Sequence, residues 1–142
     1  MRNVIQFDGI KFWVDENIIH CKLKKEFFKN YQKENIEEIF YNSISIVSNG
    51  NYMPILFNLE NISILNSLKI FRLISNSFQM RRLVLPRIFL VQSNNLKLLL
   101  TLKNDVSIHA VTNKFFSDFD LAIKYCENDY TVFNNVSKQE LV

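Results

Sequence analysis

The chain contains few of the residues that interrupt regular structure. Glycine, proline and cysteine occur twice each among 142 residues. So few breakers favour long helices and strands over an all-β sandwich with many turns. With Gly9 and Gly50 as its two glycines, the sequence has neither a glycine-rich phosphate loop nor a G-x-S-x-G nucleophile elbow. Nucleotide binding of the usual kinds and serine hydrolysis are therefore not expected.

Charge of one sign and apolar runs of membrane length are also lacking. The net charge is +3, and acidic residues are mixed among the basic ones, so no broad cationic face for nucleic acid is expected. The most apolar stretch, residues 83–91, carries Arg87 and is about half as long as a membrane helix. The chain start has no apolar signal-peptide core. These observations predict a cytoplasmic protein without a membrane span.

The sequence shows no catalytic or metal-binding set. Cys21 and Cys126 are far apart and match no metal-ligand spacing, which favours two buried thiols in a reducing compartment. His20 and His109 lie outside any recognisable motif, and the paired carboxylates at 37–38 suit a helix start. We therefore expect neither enzyme activity nor a cofactor.

The sequence does contain ample material for a hydrophobic core. Apolar residues make up 48% of the chain and aromatic residues 13%, with thirteen phenylalanines among them. The length suits one domain, which we assign to residues 1–128. Residues 129–142 are predicted to form a C-terminal tail that is either flexible or an arm packing in an assembly.

Hydrophobic periodicity predicts the first half of the fold. Alternation over residues 4–24 indicates an N-terminal β-hairpin. A stripe of 3.6-residue period from Ile36 to Val47 indicates a helix that Gly50 ends. The continuous apolar run from Met53 to Phe57 is typical of a strand buried on both faces, and a helix from Ile64 to Phe78 follows it.

The second half repeats the alternation of strand and helix. A strand core at 87–91 precedes a short helix at 96–103, a last strand around 109–115 and a helix from the Ser117 capping box to about Glu127. The predicted order is ββαβαβαβα. We expect an α/β fold with a mixed, mostly parallel sheet of about four or five strands and an N-terminal hairpin.

The bend between the central strand and the next helix is the predicted functional surface, because partners of open α/β sheets meet the carboxyl ends of strands. The candidate partner surface comprises Asn58, Glu60, Asn61, Ser63, Asn66 and Ser67. The basic runs at 22–25 and 81–82 are either solvated faces or sites for a phosphate-bearing ligand or an acidic partner.

The segment from Ile55 to Leu68, Ile-Leu-Phe-Asn-Leu-Glu-Asn-Ile-Ser-Ile-Leu-Asn-Ser-Leu, resembles the core segment of STAS domains, the family of the bacterial anti-sigma-factor antagonists. In that family an apolar strand and an Asp-Leu-Ser-x-Val turn precede Asp-Ser-Ser-Gly at a helix start. Phe116-Ser117-Asp118 is similar to the Phe-Thr-Asp-type cap of small bacterial STAS-like proteins. The likeness covers residues 8–128 and implies the element order given above.

The resemblance implies a regulatory or protein-interaction module without enzyme activity, and it marks Ser67 as the candidate phosphoacceptor. Asn66 stands where the family has Asp, and Leu68-Lys69 replaces its Ser-Gly. A serine at a helix start is also a good cap, so both interpretations of Ser67 stay open. The expected partner is a regulator or a second copy of the chain. The alternative function is binding of a small apolar, lipid-like molecule in a pocket between sheet and helices.

Overall fold

The computed structural model describes residues 4–83, 85–105 and 113–140, which form one mixed sheet of six strands with helices on it. The strands are β1 (Val4–Phe7), β2 (Ile10–Asp15), β3 (Ile18–Leu23), β4 (Ile55–Leu59), β5 (Arg87–Val91) and β6 (Asn113–Phe116). The helices are α1 (Phe27–Asn30), α2 (Lys33–Ser48), α3 (Ile64–Asn76), α4 (Phe78–Arg81), α5 (Asn94–Asp105) and α6 (Phe119–Glu140).

The strands lie in the sheet in the order of the chain, from β1 to β6. The pairs β1–β2 and β2–β3 are antiparallel, and β3 to β6 are parallel neighbours. The predicted α/β fold with a mostly parallel sheet and an N-terminal antiparallel hairpin is confirmed. The sheet has six strands rather than four or five, because residues 4–7 pair with β2 and add a strand outside the hairpin.

The two faces of the sheet are covered by different helices. Helices α2 to α5 pack on one face, over the larger hydrophobic cluster. Since each parallel strand is added on the same side of the previous one, right-handed crossovers bring the connecting helices to one face. Helix α6 packs across β4, β5 and β6 on the other face, where Ala122 and Cys126 join a smaller cluster with Leu56, Ile88 and Leu90.

Strand β4 lies inside the sheet, between β3 and β5, as its continuous apolar run predicted. Ile55 and Phe57 belong to the larger cluster and Leu56 to the smaller one, and none is more than 1% exposed. A strand covered on both faces needs apolar residues at consecutive positions, which explains why the run lacks alternation.

Helix α2 also follows its predicted stripe. Ile36, Phe40, Ile44 and Val47 are all buried in the larger cluster. The helix ends at Ser48, and the next two residues, Asn49 and Gly50, are both left-handed with φ of 51° and 77°, so the predicted glycine stop is present and Asn49 shares the conformation. Asparagine tolerates this conformation better than most residues with a Cβ.

The predicted helix from Ile64 to Phe78 is two helices in the structure. Helix α3 ends at Asn76, and Ser77 adopts an extended conformation with ψ of 119°. The Ser77 hydroxyl then accepts a hydrogen bond from the backbone N–H of Met80 at 3.1 Å and so caps α4. The polar run Ser-Asn-Ser at 75–77 favours such a break, because serine and asparagine bond readily to nearby backbone groups.

The C-terminal helix differs most from the prediction. Asp118 caps it through the Leu121 N–H at 3.0 Å, so the predicted Ser117 cap is wrong by one residue. The predicted end at Glu127 is also wrong, because α6 continues to Glu140 and the segment predicted as a tail is helical to that point. The first part of the predicted last strand, residues 109–112, lies outside the described residues.

Contacts with the start of β4 hold the distal part of α6. The Tyr52 hydroxyl donates a hydrogen bond of 2.7 Å to Asp129, and its ring stacks on Phe133 with the centroids 3.7 Å apart. Because Tyr52 precedes the central strand, these contacts attach the helix to the same domain. An amphipathic helix draws most of its stability from such packing, so composition alone underestimated its length.

Candidate functional site

The bend from the end of β4 to the first turn of α3, residues 58–67, is here called the β4–α3 corner. Strand β4 ends at Leu59 and α3 begins at Ile64, so the corner lies at the carboxyl edge of the parallel strands. Ile62 is 1% exposed and anchors the bend in the larger cluster. The sequence correctly predicted both the strand and the helix that define this position.

Local hydrogen bonds fix the backbone of the corner. The Asn58 side-chain carbonyl accepts from the Glu60 N–H at 3.1 Å, which closes a turn around Leu59. The Ser63 hydroxyl accepts from the Asn66 N–H at 3.2 Å and caps α3. The Ile62 carbonyl accepts from the Gln92 side-chain amide at 3.0 Å, which ties the corner to the loop after β5. The corner is therefore preorganised before any partner binds.

The six predicted surface residues are not equally accessible. Glu60, Asn61 and Ser63 are exposed, and Asn58 and Asn66 are half-buried. Ser67 is completely buried and belongs to the inward face of α3. The structure thus brings five of the six residues to one surface and removes Ser67 from it.

Ser67 is neither a cap nor an accessible hydroxyl. It is the fourth residue of α3, and its N–H donates to the Ser63 carbonyl at 2.8 Å as part of the helix. Its own hydroxyl has no hydrogen-bond partner among the described residues. The predicted cap is therefore wrong, and a kinase has no access to this hydroxyl while α3 is folded. The burial follows from spacing, since Ser67, Ile70, Phe71 and Ile74 form one helical stripe.

The sequence reasoning missed two exposed apolar side chains beside the corner. Ile64 is 49% exposed and Leu65 is 74% exposed, both in the first turn of α3. The helical pattern placed Ile64 in the core, but the first turn lies beyond the end of β4, where the sheet no longer covers it. Leu65 does not belong to the buried stripe at 67, 70, 71 and 74, and this difference in helical phase could have predicted its exposure from the sequence.

The loops after β5 and β6 extend the same edge. The Ser93 hydroxyl accepts from the Leu96 N–H at 3.2 Å and caps α5. The Ser117 hydroxyl donates to the Asn94 side chain, which links the two loops. Phe119 and Leu121, in the first turn of α6, are 44% and 54% exposed. The carboxyl edge therefore combines polar capping loops with exposed apolar side chains.

The described histidine, His20, and the two cysteines are packed against other side chains of the fold. His20 stacks on Trp13 with ring centroids 5.0 Å apart, and burial lowers its pKa while Asp15 partly opposes the change. Cys21 and Cys126 are buried on opposite faces of the sheet. Burial raises the pKa of Cys21, and raises that of Cys126 to about 12, which disfavours the reactive thiolate. Within the described ranges, His, Cys, Asp and Glu side chains form no group of three that could hold a metal ion.

The interior between sheet and helices is filled by aromatic rings. Phe57 stacks on Phe89 with centroids 5.0 Å apart, and Phe89 stacks on Phe115 at 5.4 Å. Phe71 of α3 packs edge-on against both Phe89 and Phe115. These phenylalanine rings pack against one another in the layer between sheet and helices, where the alternative hypothesis placed an apolar ligand.

The two predicted basic runs lie in different places, and the first is next to the corner, since Lys22 of β3 is in register with Asn58 of β4. Lys22, Lys24 and Lys25 are exposed at the end of β3, and Lys22 lies opposite Lys11 on β2. Arg82 is exposed after α4, while Arg81 is half-buried. These positions are typical of solvated charged faces at the end of a sheet.

Comparison with known proteins adds no relative. No family model matches the chain, and neither the curated proteins nor the solved structures contain a match. Across residues 4–83, 85–105 and 113–140, no helix has both the length and the apolar character needed to cross a membrane.

Proposed function

We propose that this chain is a STAS-like, non-enzymatic regulatory module that binds a protein partner through the β4–α3 corner. The observation that carries the proposal is the exposure of Ile64 and Leu65 beside the polar residues Glu60, Asn61 and Ser63. The partner is a regulator or a second copy of the chain. The proposed location is the cytoplasm, as the sequence predicts.

The arrangement of this surface suits protein recognition. Protein interfaces combine an apolar centre with a polar rim, and Leu65 with its polar neighbours offers both. The corner is held by Asn58, Ser63 and Gln92 before binding, so association orders few groups and loses little conformational entropy. From β2 onward, and apart from the four-residue helices α1 and α4, the elements follow the order that the family resemblance implies, which supports the proposal, whereas β1 is an additional strand.

The alternative function, an apolar ligand between sheet and helices, has weaker support at that location. The stacked rings of Phe57, Phe89 and Phe115 fill the corresponding layer.

The proposal can be tested by placing a photo-crosslinking amino acid at Leu65 in the native host. Ile46 is the matched control, since it is 59% exposed on α2 and lies outside the corner. We expect one partner to be captured from position 65 and not from position 46. With the purified partner, Leu65→Lys should weaken binding about tenfold or more, because burying a leucine side chain contributes ~1.5–3 kcal/mol.

Ile46→Lys should leave the affinity for that partner unchanged. Equal crosslinking from both positions would contradict the proposal, and so would a captured partner whose affinity is insensitive to Leu65→Lys. Light scattering of the purified chain separates the two kinds of partner, because a second copy would appear as a dimer that Leu65→Lys dissociates.

A further inference from the structure

A groove on the outer side of the helices lies apart from the β4–α3 corner. It has a volume of about 630 Å³ and is open to solvent between α1, the start of α2 and residues 69–76 of α3. Its apolar lining consists of Phe28, Tyr31, Ile36, Ile70 and Leu73. Small-molecule sites in proteins are mostly apolar concavities of roughly 300–1,000 Å³, so the groove has a suitable size and surface.

The apolar lining divides into a floor and walls. Ile36 and Ile70 are buried at 7% and 1% exposure and form the floor. Phe28, Tyr31 and Leu73 are half-buried and present the rest of their surface to the groove. Covering these three side chains with an apolar group would remove further surface from water, which is favourable.

The charges of the groove are unevenly placed along α3. Lys69 and Arg72 are exposed lining residues, and neither pairs with an acidic group among the residues that the structure describes. Glu37 lies near the other end, where its carboxylate accepts a hydrogen bond of 2.7 Å from the Ser77 hydroxyl. From Lys69 to Asn76 the helix rises roughly 10 Å. The groove therefore has a cationic end, whose charges meet no acidic partner among the described side chains, and an acidic end whose carboxylate is already hydrogen-bonded.

We propose that this groove binds a small anionic amphiphile, a carboxylate with an apolar tail. The carboxylate pairs with Arg72 and Lys69, since guanidinium groups bind carboxylates through two parallel hydrogen bonds. The tail lies over Leu73, Phe28 and Tyr31. This assignment explains why apolar side chains share one concave surface with two cations that have no acidic partner in the described part of the chain. It does not depend on the protein partner proposed above.

Titration calorimetry with decanoate and decylammonium tests the proposal, because the two probes share a tail and differ in head-group charge. We expect saturable binding of decanoate at one site and at least about tenfold weaker binding of decylammonium, as expected for a charge-assisted head-group contact. Amide chemical-shift changes on adding decanoate should occur on α1, α2 and α3. Arg72→Gln should weaken decanoate binding about twofold to fivefold, the upper part of the range for an exposed ion pair.

Arg82→Gln is the matched control, since it removes an exposed arginine outside the groove. It should leave decanoate binding unchanged. The proposal is overturned if decanoate does not saturate, if decylammonium binds as well, or if the two arginine variants behave alike. It is also overturned if the groove is occupied by a second copy, which light scattering would show as a dimer lost in Arg72→Gln. None of these outcomes affects crosslinking from Leu65.

Discussion

Replacing Gly9 by alanine should be among the most damaging single changes in this chain. Gly9 occupies the two-residue turn between β1 and β2 with φ of 82°, in the left-handed region. A Cβ added there would lie 2.5 Å from the backbone nitrogen and 2.8 Å from the Cα of Phe27. Both distances are too short for non-bonded atoms, and backbone atoms cannot rotate away as a flexible side chain can.

The magnitude follows from two terms. Placing alanine in the left-handed region costs about 1 kcal/mol. Forcing the turn and Phe27 apart adds ~2 kcal/mol, within the range for overpacked sites. The turn cannot simply move, because the Gly9 carbonyl accepts a hydrogen bond of 2.7 Å from the Lys24 N–H. We therefore expect Gly9→Ala to lower the free energy of unfolding by about 3 kcal/mol.

Gly50 supplies the control, because it also has a positive φ, 77°, but a Cβ there meets nothing within 4 Å. Gly50→Ala should cost about 1 kcal/mol, the conformational term alone. Urea unfolding followed by the fluorescence of Trp13, the single tryptophan, measures both variants. If the two variants differ by less than about 0.5 kcal/mol with unchanged m-values, the clash is relieved elsewhere and the reasoning is refuted.

Three further predictions concern buried polar groups. Ser67→Ala should stabilise the protein by about 1 kcal/mol, because it removes from a helix a buried hydroxyl that has no partner among the described residues. A loss of stability in urea unfolding would reveal a hydrogen bond to that hydroxyl. Arg87→Met should change the free energy of unfolding by less than about 1 kcal/mol at neutral pH. Arg87→Ala should lower the free energy of unfolding by ~3 kcal/mol, because it leaves a cavity in the interior. Equal losses in the two variants would show that the charge itself stabilises the fold. Tyr52→Phe should accelerate amide hydrogen exchange in residues 129–135 and leave β4 protected, because it removes the hydrogen bond to Asp129. Unchanged exchange in residues 129–135 would mean that this hydrogen bond does not hold α6.

The expectation for Arg87 follows from opposing terms. The side chain is 1% exposed and donates to the Asn113 side chain at 2.8 Å and to the Ile74 carbonyl at 3.0 Å. Burial, with a smaller effect of Arg81, lowers its pKa from 12.5 to about 10. Because the unfolded state then binds the proton more tightly, folding is disfavoured by ~3 kcal/mol below pH 10, and the penalty fades between pH 10 and 12.5. Two hydrogen bonds from a charged group contribute ~3 kcal/mol in return.

Elements with strong local patterns were predictable from the sequence. The continuous run at β4 and the stripe of α2 each depend on a burial pattern that one segment displays by itself. Strand β1 was merged with the hairpin because four residues carry too little alternation to mark a separate strand. Helix α6 was cut short because its distal part is held by Tyr52, far away in the sequence.

The candidate site was predictable in position and only partly in composition. The carboxyl end of a buried strand marks the corner from the sequence alone. Which residues of the corner face outward depends on where α3 begins. With Ser63 as the N-cap, the helix turns Ser67 toward the core. The exposure of Ile64 and Leu65 depends on how far the helix extends past the sheet, which is a tertiary property.

The order of the strands has a consequence for how the fold is assembled. Since each strand from β3 onward lies next to its predecessor in the chain, the sheet resembles a short repeat array in which neighbouring units stabilise one another. Helix α6 reaches back across β4, β5 and β6 and connects three of these units at once. Folding can therefore spread from the N-terminal hairpin unit by unit, and helix α6, which follows all six strands in the chain, locks the finished units into a single cooperative structure.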